Sequence, residues 1–250
     1  MLFRTSAFLP FLIASNVALF AQVLPALSPQ NHNMQPRNRR YGSLVLALIV
    51  SWLIFVISAA KLLVFKDGRV PAGFAALTPI VIFVLWSLIS PGFRQFIFSL
   101  DTRTLTFLQA WRVAGFVWFV AAAYRILPGA FALPAGWGDL AVGFSAPLAA
   151  IYLTKMESPR GLLIWQILGL LDLIMAVTLG VLASPRIHLI GDGLTTTALT
   201  LLPLSIIPTF GVPLAVIFHI VCIANLSRSE QPRRTSVEHP VAPHSVSITG

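Results

Sequence analysis

The sequence has few charged residues, and this shortage limits the class of protein it can encode. Only 10% of its 250 residues are charged, whereas 57% are hydrophobic. A soluble globular domain usually has about 25% charged residues. A water-soluble fold of this length could not bury so much apolar surface. The composition therefore excludes an ordinary soluble domain and predicts a membrane protein.

Cysteine and the common cofactor motifs are also scarce or missing. The single Cys222 excludes an intrachain disulfide and a Cys-based zinc site. The sequence has no Walker loop, no H-E-x-x-H and no G-x-S-x-G. Only His219 lies inside a long apolar segment, which excludes a bis-histidine haem. We therefore expect no cofactor and no metal ion.

Basic residues outnumber acidic ones, which gives a formal net charge of +9. In a soluble protein this excess would suggest a nucleic-acid partner. Here most of the basic residues lie between apolar segments, where they set membrane topology, and no basic helix or RNA-binding signature is present. We predict the lipid bilayer as partner and no nucleic acid, and the sequence leaves the oligomeric state open.

Long apolar segments predict the fold. A spanning helix needs roughly 20 apolar residues, and tryptophans inside such segments, such as Trp118, are predicted to be packing residues. The prediction is an all-α bundle of about seven transmembrane helices over residues 1–226, with a polar, disordered cytoplasmic tail over 227–250. The predicted spans are Phe8–Leu27, Ser43–Val64, Ala72–Ser90, Leu105–Ile126, Phe131–Leu153, Gly161–Ala183 and Leu199–Asn225.

The first segment has two interpretations. Arg4 followed by an apolar run is typical of a cleaved signal peptide. The apolar run continues past Ala21, however, and no small-x-small cleavage site precedes that point. We favour a retained helix and keep the signal peptide as the alternative.

Basic residues near the predicted span ends predict the orientation. One side of the bundle would carry Arg37, Arg39, Arg40, Arg94, Arg103, Lys155, Arg160, Arg228, Arg233 and Arg234. The other side would carry only Arg4, Lys66, Arg69, Arg125 and Arg186. The richer side should be cytoplasmic, which places the C-terminal tail inside and the N-terminus outside a cell (inner) membrane.

Four ionisable residues lie well inside predicted spans, where charge is costly: Arg112, Asp139, Asp172 and His219. Arg or Asp near the centre of a spanning helix costs about 2.5–3.5 kcal/mol on insertion scales. Such groups are tolerated when they pair with one another or face a wet cavity. A rise of about 1.5 Å per residue places all four within roughly 8 Å of the midplane. Their shared depth predicts one site.

Small residues share the helical faces of these groups. Asp139 follows Gly136 and precedes Gly143 at i, i+3, i+7 spacing, and Asp172 and His219 lie on similar stripes. Small stripes let helix backbones approach closely in lipid. The predicted buried polar cluster consists of Gln109, Arg112, Asp139, Gln166, Asp172 and His219.

The predicted partners of Asp139 are Arg112 and His219, and two roles for the cluster remain open. Two carboxylates, one fixed cation and one histidine suit a proton-linked relay or small-solute passage. The same groups could instead be structural ion pairs that fix helix register. The partners would be protons or a small solute in the first case only.

Prolines interrupt the last predicted span. Pro203, Pro208, Gly211 and Pro213 precede His219 and should bend or break the helix there. Broken helices near the membrane midplane mark binding sites in transporters. This pattern favours a binding or transport role.

The tetrapeptide Gly136-Trp137-Gly138-Asp139 resembles the G-x-G-D motif of intramembrane aspartyl proteases. Those enzymes use two membrane aspartates that share a proton and activate water. The resemblance implies Asp139 and Asp172 as alternative catalytic residues. The sequence departs from the family pattern because Asp172 follows the motif, whereas the second aspartate precedes it in those families.

A broader resemblance covers the fourth to seventh predicted spans. "LPAGWGD", the following "GLLDL" and "PTFGVPLAVIFH" are similar to sequences of uncharacterised bacterial multi-pass membrane proteins. This resemblance implies a membrane bundle and implies no known activity.

Overall fold

The computed structural model describes residues 36–66, 68, 71–153 and 159–229. Within these residues the chain is all-helical and contains no strand, which confirms the predicted fold class. The first predicted span, Phe8–Leu27, and residues 230–250 of the predicted tail lie outside the described residues.

The described chain folds into a series of α-helices joined by short 3₁₀ and π segments. The α-helices are α1 (Pro36–Lys61), α2 (Ala72–Ile89), α3 (Pro91–Phe98), α4 (Thr102–Leu108), α5 (Phe116–Ala123), α6 (Gly129–Leu148), α7 (Pro159–Leu182) and α8 (Val212–Ser229). The 3₁₀ segments are Gln109–Gly115 and Thr196–Thr200, and the π segments are Ala149–Leu153 and Ile207–Gly211.

Five stretches are long and apolar enough to cross a membrane. They are Asn38–Lys61, Ala72–Ile89, Thr102–Ala123, Pro159–Leu182 and Ile207–Arg228. Helix α6 matches the predicted span Phe131–Leu153 and has 20 residues, but it is less apolar than these five. Its glycines, its two internal prolines and Asp139 lower its mean hydropathy. Each predicted span that falls in the described residues contains a helix, and the last of them is interrupted.

Helix α3 forms where the sequence analysis predicts only a connection between spans. The Ser90 side chain accepts a hydrogen bond from the Phe93 backbone N–H, and Pro91 occupies the first turn, so both favour helix initiation. Phe93, Phe96 and Ile97 are buried on one face. The Phe93 ring stacks on Trp86 of α2, with ring centroids 3.9 Å apart. The apolar face docks this short helix against the bundle.

The last predicted span is broken, as its prolines predict. A 3₁₀ turn is followed by non-helical residues, the π segment Ile207–Gly211, and then the regular helix α8. Pro203 and Pro208 lack the backbone N–H that a continuous helix would need. His219 lies two turns into α8, beyond the break.

The span α4–α5, with its central 3₁₀ segment, lies in the middle of the bundle. Helix α6 packs against this segment and against α5, and α7 packs against both α6 and α8. The glycine stripe of α6 allows a close approach: Gly143 lies against the Val113 backbone and Gly136 lies against the Phe119 ring. The predicted small-residue contact therefore positions Asp139 beside Arg112.

Candidate functional site

Arg112 is the centre of the site and is only 1% exposed. Its Nε donates a hydrogen bond to Asp139 Oδ1 at 2.8 Å, and its Nη2 donates to Asp172 Oδ2. Its Nη1 donates to the backbone carbonyl of Gly169 at 3.3 Å. The guanidinium thus joins α6 and α7 from the 3₁₀ segment. We call Arg112, Asp139 and Asp172 the Arg112 centre.

Asp139 is fixed at both oxygens. Arg112 binds Oδ1, and the indole Nε1 of Trp118 donates to Oδ2 at 2.8 Å. Trp118 is 4% exposed and was predicted to be a packing residue only. The sequence signal for its second role is the indole N–H, because a buried tryptophan usually needs a hydrogen-bond acceptor.

Asp172 is held less completely than Asp139. Its Oδ2 binds Arg112, whereas its Oδ1 forms no hydrogen bond with any described residue. The Asp172 side chain is 12% exposed. A Cβ atom at Gly138 would overlap the Asp172 carboxylate, so this glycine gives the carboxylate its space. In the G-x-G-D stretch, Gly138 therefore accommodates Asp172 on the neighbouring helix.

The charges of the Arg112 centre do not balance. One guanidinium faces two carboxylates, so the centre carries a net charge of −1 when both carboxylates are ionised. The centre is thus one positive charge short of neutrality. Such an uncompensated charge is costly in an apolar interior.

His219 binds Gln166 rather than an aspartate, so the predicted contact between His219 and Asp139 is wrong. His219 Nδ1 lies 2.6 Å from Gln166 Oε1, and Gln166 Nε2 donates to Thr106 Oγ1 at 2.8 Å. The ring packs against Gly169, one helical turn before Asp172 on α7. The ring therefore lies about one turn away from Asp172 and within hydrogen-bond distance of the Gln166 side chain.

The direction of these hydrogen bonds fixes the histidine tautomer. Because the Gln166 amide nitrogen donates to Thr106, its oxygen accepts from His219, which places the proton on Nδ1. His219 Nε2 is buried and has no hydrogen-bond partner in the described part of the chain. We call Thr106, Gln166 and His219 the histidine layer.

Gln109 joins neither group. Its Nε2 donates to the backbone carbonyl of Ala215 at 3.1 Å, and its Oε1 is buried without a partner among the described residues. Gln109 thereby ties the central span to α8. The six predicted residues are all brought to one region, but they divide into the Arg112 centre, the histidine layer and this separate tether.

The geometry does not favour the aspartyl protease interpretation, which stays a prediction. That mechanism requires two carboxylates that share a proton and a water molecule. Arg112 lies between Asp139 and Asp172 and binds both of them. A cation in this position stabilises two ionised carboxylates and opposes a shared proton.

No group of three His, Cys, Asp or Glu side chains that could hold a metal ion occurs among residues 36–66, 68, 71–153 and 159–229. The expectation that the protein needs no metal therefore stays a prediction.

Comparison with known families gives a match over most of the described chain. The profile of a domain of unknown function, DUF8737, matches residues 69–227. The chain belongs to the DUF8737 family. The DUF8737 match includes every residue of the Arg112 centre and the histidine layer, and it extends beyond the predicted resemblance to include α2. No curated protein and no solved structure matches the chain.

Proposed function

We propose that this protein is a multi-pass protein of the cell (inner) membrane with its C-terminus in the cytoplasm and its N-terminus outside. The five membrane-length stretches support this location. The side chain of Asn38 at the start of α1 and that of Asn225 near the end of α8 bond to Ser99 and to the Leu100 carbonyl. One end of the bundle thus collects Arg40, Arg94, Arg103 and Arg228, which is the cytoplasmic end by the positive-inside rule.

We further propose that the Arg112 centre binds a proton within the membrane and links it to the binding or passage of a small solute. The observation that carries this proposal is the single guanidinium between two carboxylates, with Asp172 Oδ1 unpaired among the described residues. A proton on Asp172 Oδ1 would neutralise the centre and would leave both ion contacts of Arg112 in place.

Infrared spectroscopy of the protein in lipid bilayers tests the proton site. Lowering the pH should produce the carbonyl stretch of a protonated carboxyl group at the high frequency typical of an apolar setting. Asp172→Asn should remove this band. Asp101→Asn is the matched control, because Asp101 is exposed and asparagine can replace it as the helix cap of α4. A band that persists in Asp172→Asn would contradict the assignment.

Proteoliposomes test whether the bound proton crosses the membrane. Vesicles with a trapped pH-sensitive dye should acidify faster with the wild-type chain than without protein when a potential drives protons inward. Asp139→Asn and Asp172→Asn should both abolish the difference, whereas Asp101→Asn should retain it. Unchanged flux in both site variants would exclude the relay.

A purely structural role is the second candidate, and the dense bonding of Arg112 favours it. All three described hydrogen bonds of the guanidinium go to neighbouring helices. A structural centre predicts that Asp172→Asn lowers the melting temperature, while the wild-type chain gives no pH-dependent carboxyl band. The infrared experiment therefore separates the two functions.

A further inference from the structure

A cavity lies apart from the Arg112 centre and the histidine layer. It has a volume of about 320 Å³ and lies between α1, α2, the α3–α4 region and α8. Aromatic and aliphatic side chains form most of its wall, among them Trp52, Phe83, Phe96, Leu108 and Phe218. This volume is at the lower end of the range of small-molecule pockets. We call it the lateral cavity.

The lateral cavity reaches the outer apolar face of the bundle. Leu48 of α1 and Ile82 of α2 line it, and these side chains are 47% and 51% exposed. In the proposed membrane location, the outer faces of α1 and α2 contact the hydrocarbon interior of the bilayer. A hydrocarbon chain can therefore enter the cavity directly from the bilayer interior. A polar solute would first have to enter the hydrocarbon, which is unfavourable.

One end of the lateral cavity is polar. Ser99, Asp101 and Thr104 line it there, and Ser99 accepts a hydrogen bond from Asn38. The Asp101 carboxylate already accepts hydrogen bonds from the backbone N–H groups of Arg103 and Thr104 and from the Thr104 hydroxyl. The polar end therefore lies at the proposed cytoplasmic end of the bundle.

Three arginines lie close in sequence to residues at this end of the bundle. Arg94 follows the lining residue Phe93, Arg103 precedes the lining residue Thr104, and Arg40 lies two residues after Asn38. All three arginines are exposed. Three arginines against the single Asp101 leave a positive surface, which complements an anionic headgroup.

We propose that the lateral cavity holds one acyl chain of an anionic membrane phospholipid, with its phosphate-bearing headgroup at Arg40, Arg94 and Arg103. The apolar wall packs against the acyl chain, which enters from the bilayer through the opening on the outer face. The arginines favour lipids with an anionic headgroup. The proposal rests on the proposed membrane location and orientation and is independent of the proton site.

Native mass spectrometry of the full chain in detergent tests the selection of charge. We expect one dioleoyl phosphatidylglycerol to bind more tightly than dioleoyl phosphatidylcholine. Arg94→Gln and Arg103→Gln should each weaken phosphatidylglycerol binding about fivefold. Arg125→Gln, at the other end of the bundle, is the matched control and should change nothing. Equal binding of the two lipids, unchanged by the arginine variants, would overturn the proposal that the cavity selects an anionic headgroup.

The same assay tests the place of the acyl chain. Ile49→Trp should fill the lateral cavity and remove the bound lipid, because Ile49 lines it. Leu77→Trp is the control, since Leu77 is exposed on α2 and does not line the cavity. Undiminished binding to a folded Ile49→Trp protein would overturn the proposed place. Free oleate that displaces phosphatidylglycerol and binds equally well to the arginine variants would also overturn it in favour of a fatty acid.

Photo-crosslinking of the wild-type chain keeps the proposal testable if Ile49→Trp does not fold. Phosphatidylglycerol with a diazirine on its acyl chain should label cavity residues such as Trp52, Leu108 or Phe218. Labelling confined to outer faces, for example at Leu77, would overturn the proposal. The cavity would then belong to another occupant, such as the predicted span Phe8–Leu27.

Discussion

Arg112→Met is expected to lower the free energy of unfolding by about 3–5 kcal/mol, the cost of breaking a buried ion pair by removing one partner. The substitution would leave the carboxylates of Asp139 and Asp172 without their shared cation and the Gly169 carbonyl without its donor. Thermal unfolding in detergent, followed by tryptophan fluorescence, measures the change.

Two further variants sharpen this experiment. Arg125→Met is the control, because Arg125 is exposed and its loss should change stability by less than about 0.5 kcal/mol. The triple variant Arg112→Met, Asp139→Asn, Asp172→Asn removes all three charges and should recover much of the loss. A melting temperature unaffected by Arg112→Met would contradict the ion-pair account, and so would a triple variant no more stable than the single one.

Gly143→Val is expected to destabilise the bundle by about 3 kcal/mol, the upper part of the usual range for overpacking. A Cβ atom at Gly143 would lie 2.5 Å from the Val113 backbone nitrogen, and this backbone atom cannot rotate away. Helix α6 would have to move outward, which would separate Asp139 from Arg112. Thermal unfolding and the infrared carboxyl band should therefore both change.

Gly73→Val is the matched control for this substitution. A Cβ atom at Gly73, in the first turn of α2, would meet nothing within 4 Å. Its replacement should leave the stability nearly unchanged, since glycine itself is unfavourable in a helix. Equal melting temperatures for Gly143→Val and Gly73→Val would show that the close approach of α6 contributes little.

Five of the six predicted spans in the described residues could be identified from sequence because they have the length and apolar composition that crossing a membrane requires. Helix α3 could not be identified in this way, since it has only 8 residues and is too short to cross a membrane. The sequence nevertheless contains the pattern of its buried face, because Phe93, Phe96 and Ile97 are spaced i, i+3, i+4. A search for membrane-spanning segments alone does not detect such a short helix.

The Arg112 centre could also be predicted in part. Charges in an apolar interior must pair, and the rise per residue places Arg112, Asp139 and Asp172 at similar depths. The partner of His219 could not be predicted, because an amide accepts its hydrogen bond as readily as a carboxylate does. The choice of Gln166 depends on how α7 and α8 are rotated against each other.

The 3₁₀ segment Gln109–Gly115 determines how the two halves of its span are turned relative to each other. A 3₁₀ helix rises about 2.0 Å and turns about 120° per residue, against about 1.5 Å and 100° in an α-helix. Over these seven residues the difference is about 3.5 Å and 140°.

Because of this offset, α4 turns Leu105 and Leu108 towards the lateral cavity while α5 turns Trp118 towards Asp139. A return of the segment to α-helical pitch would turn α5 relative to α4 and move the Trp118 indole off the Asp139 carboxylate. The winding of this one segment therefore sets which face of α5 meets the buried charges when α4 faces the lateral cavity.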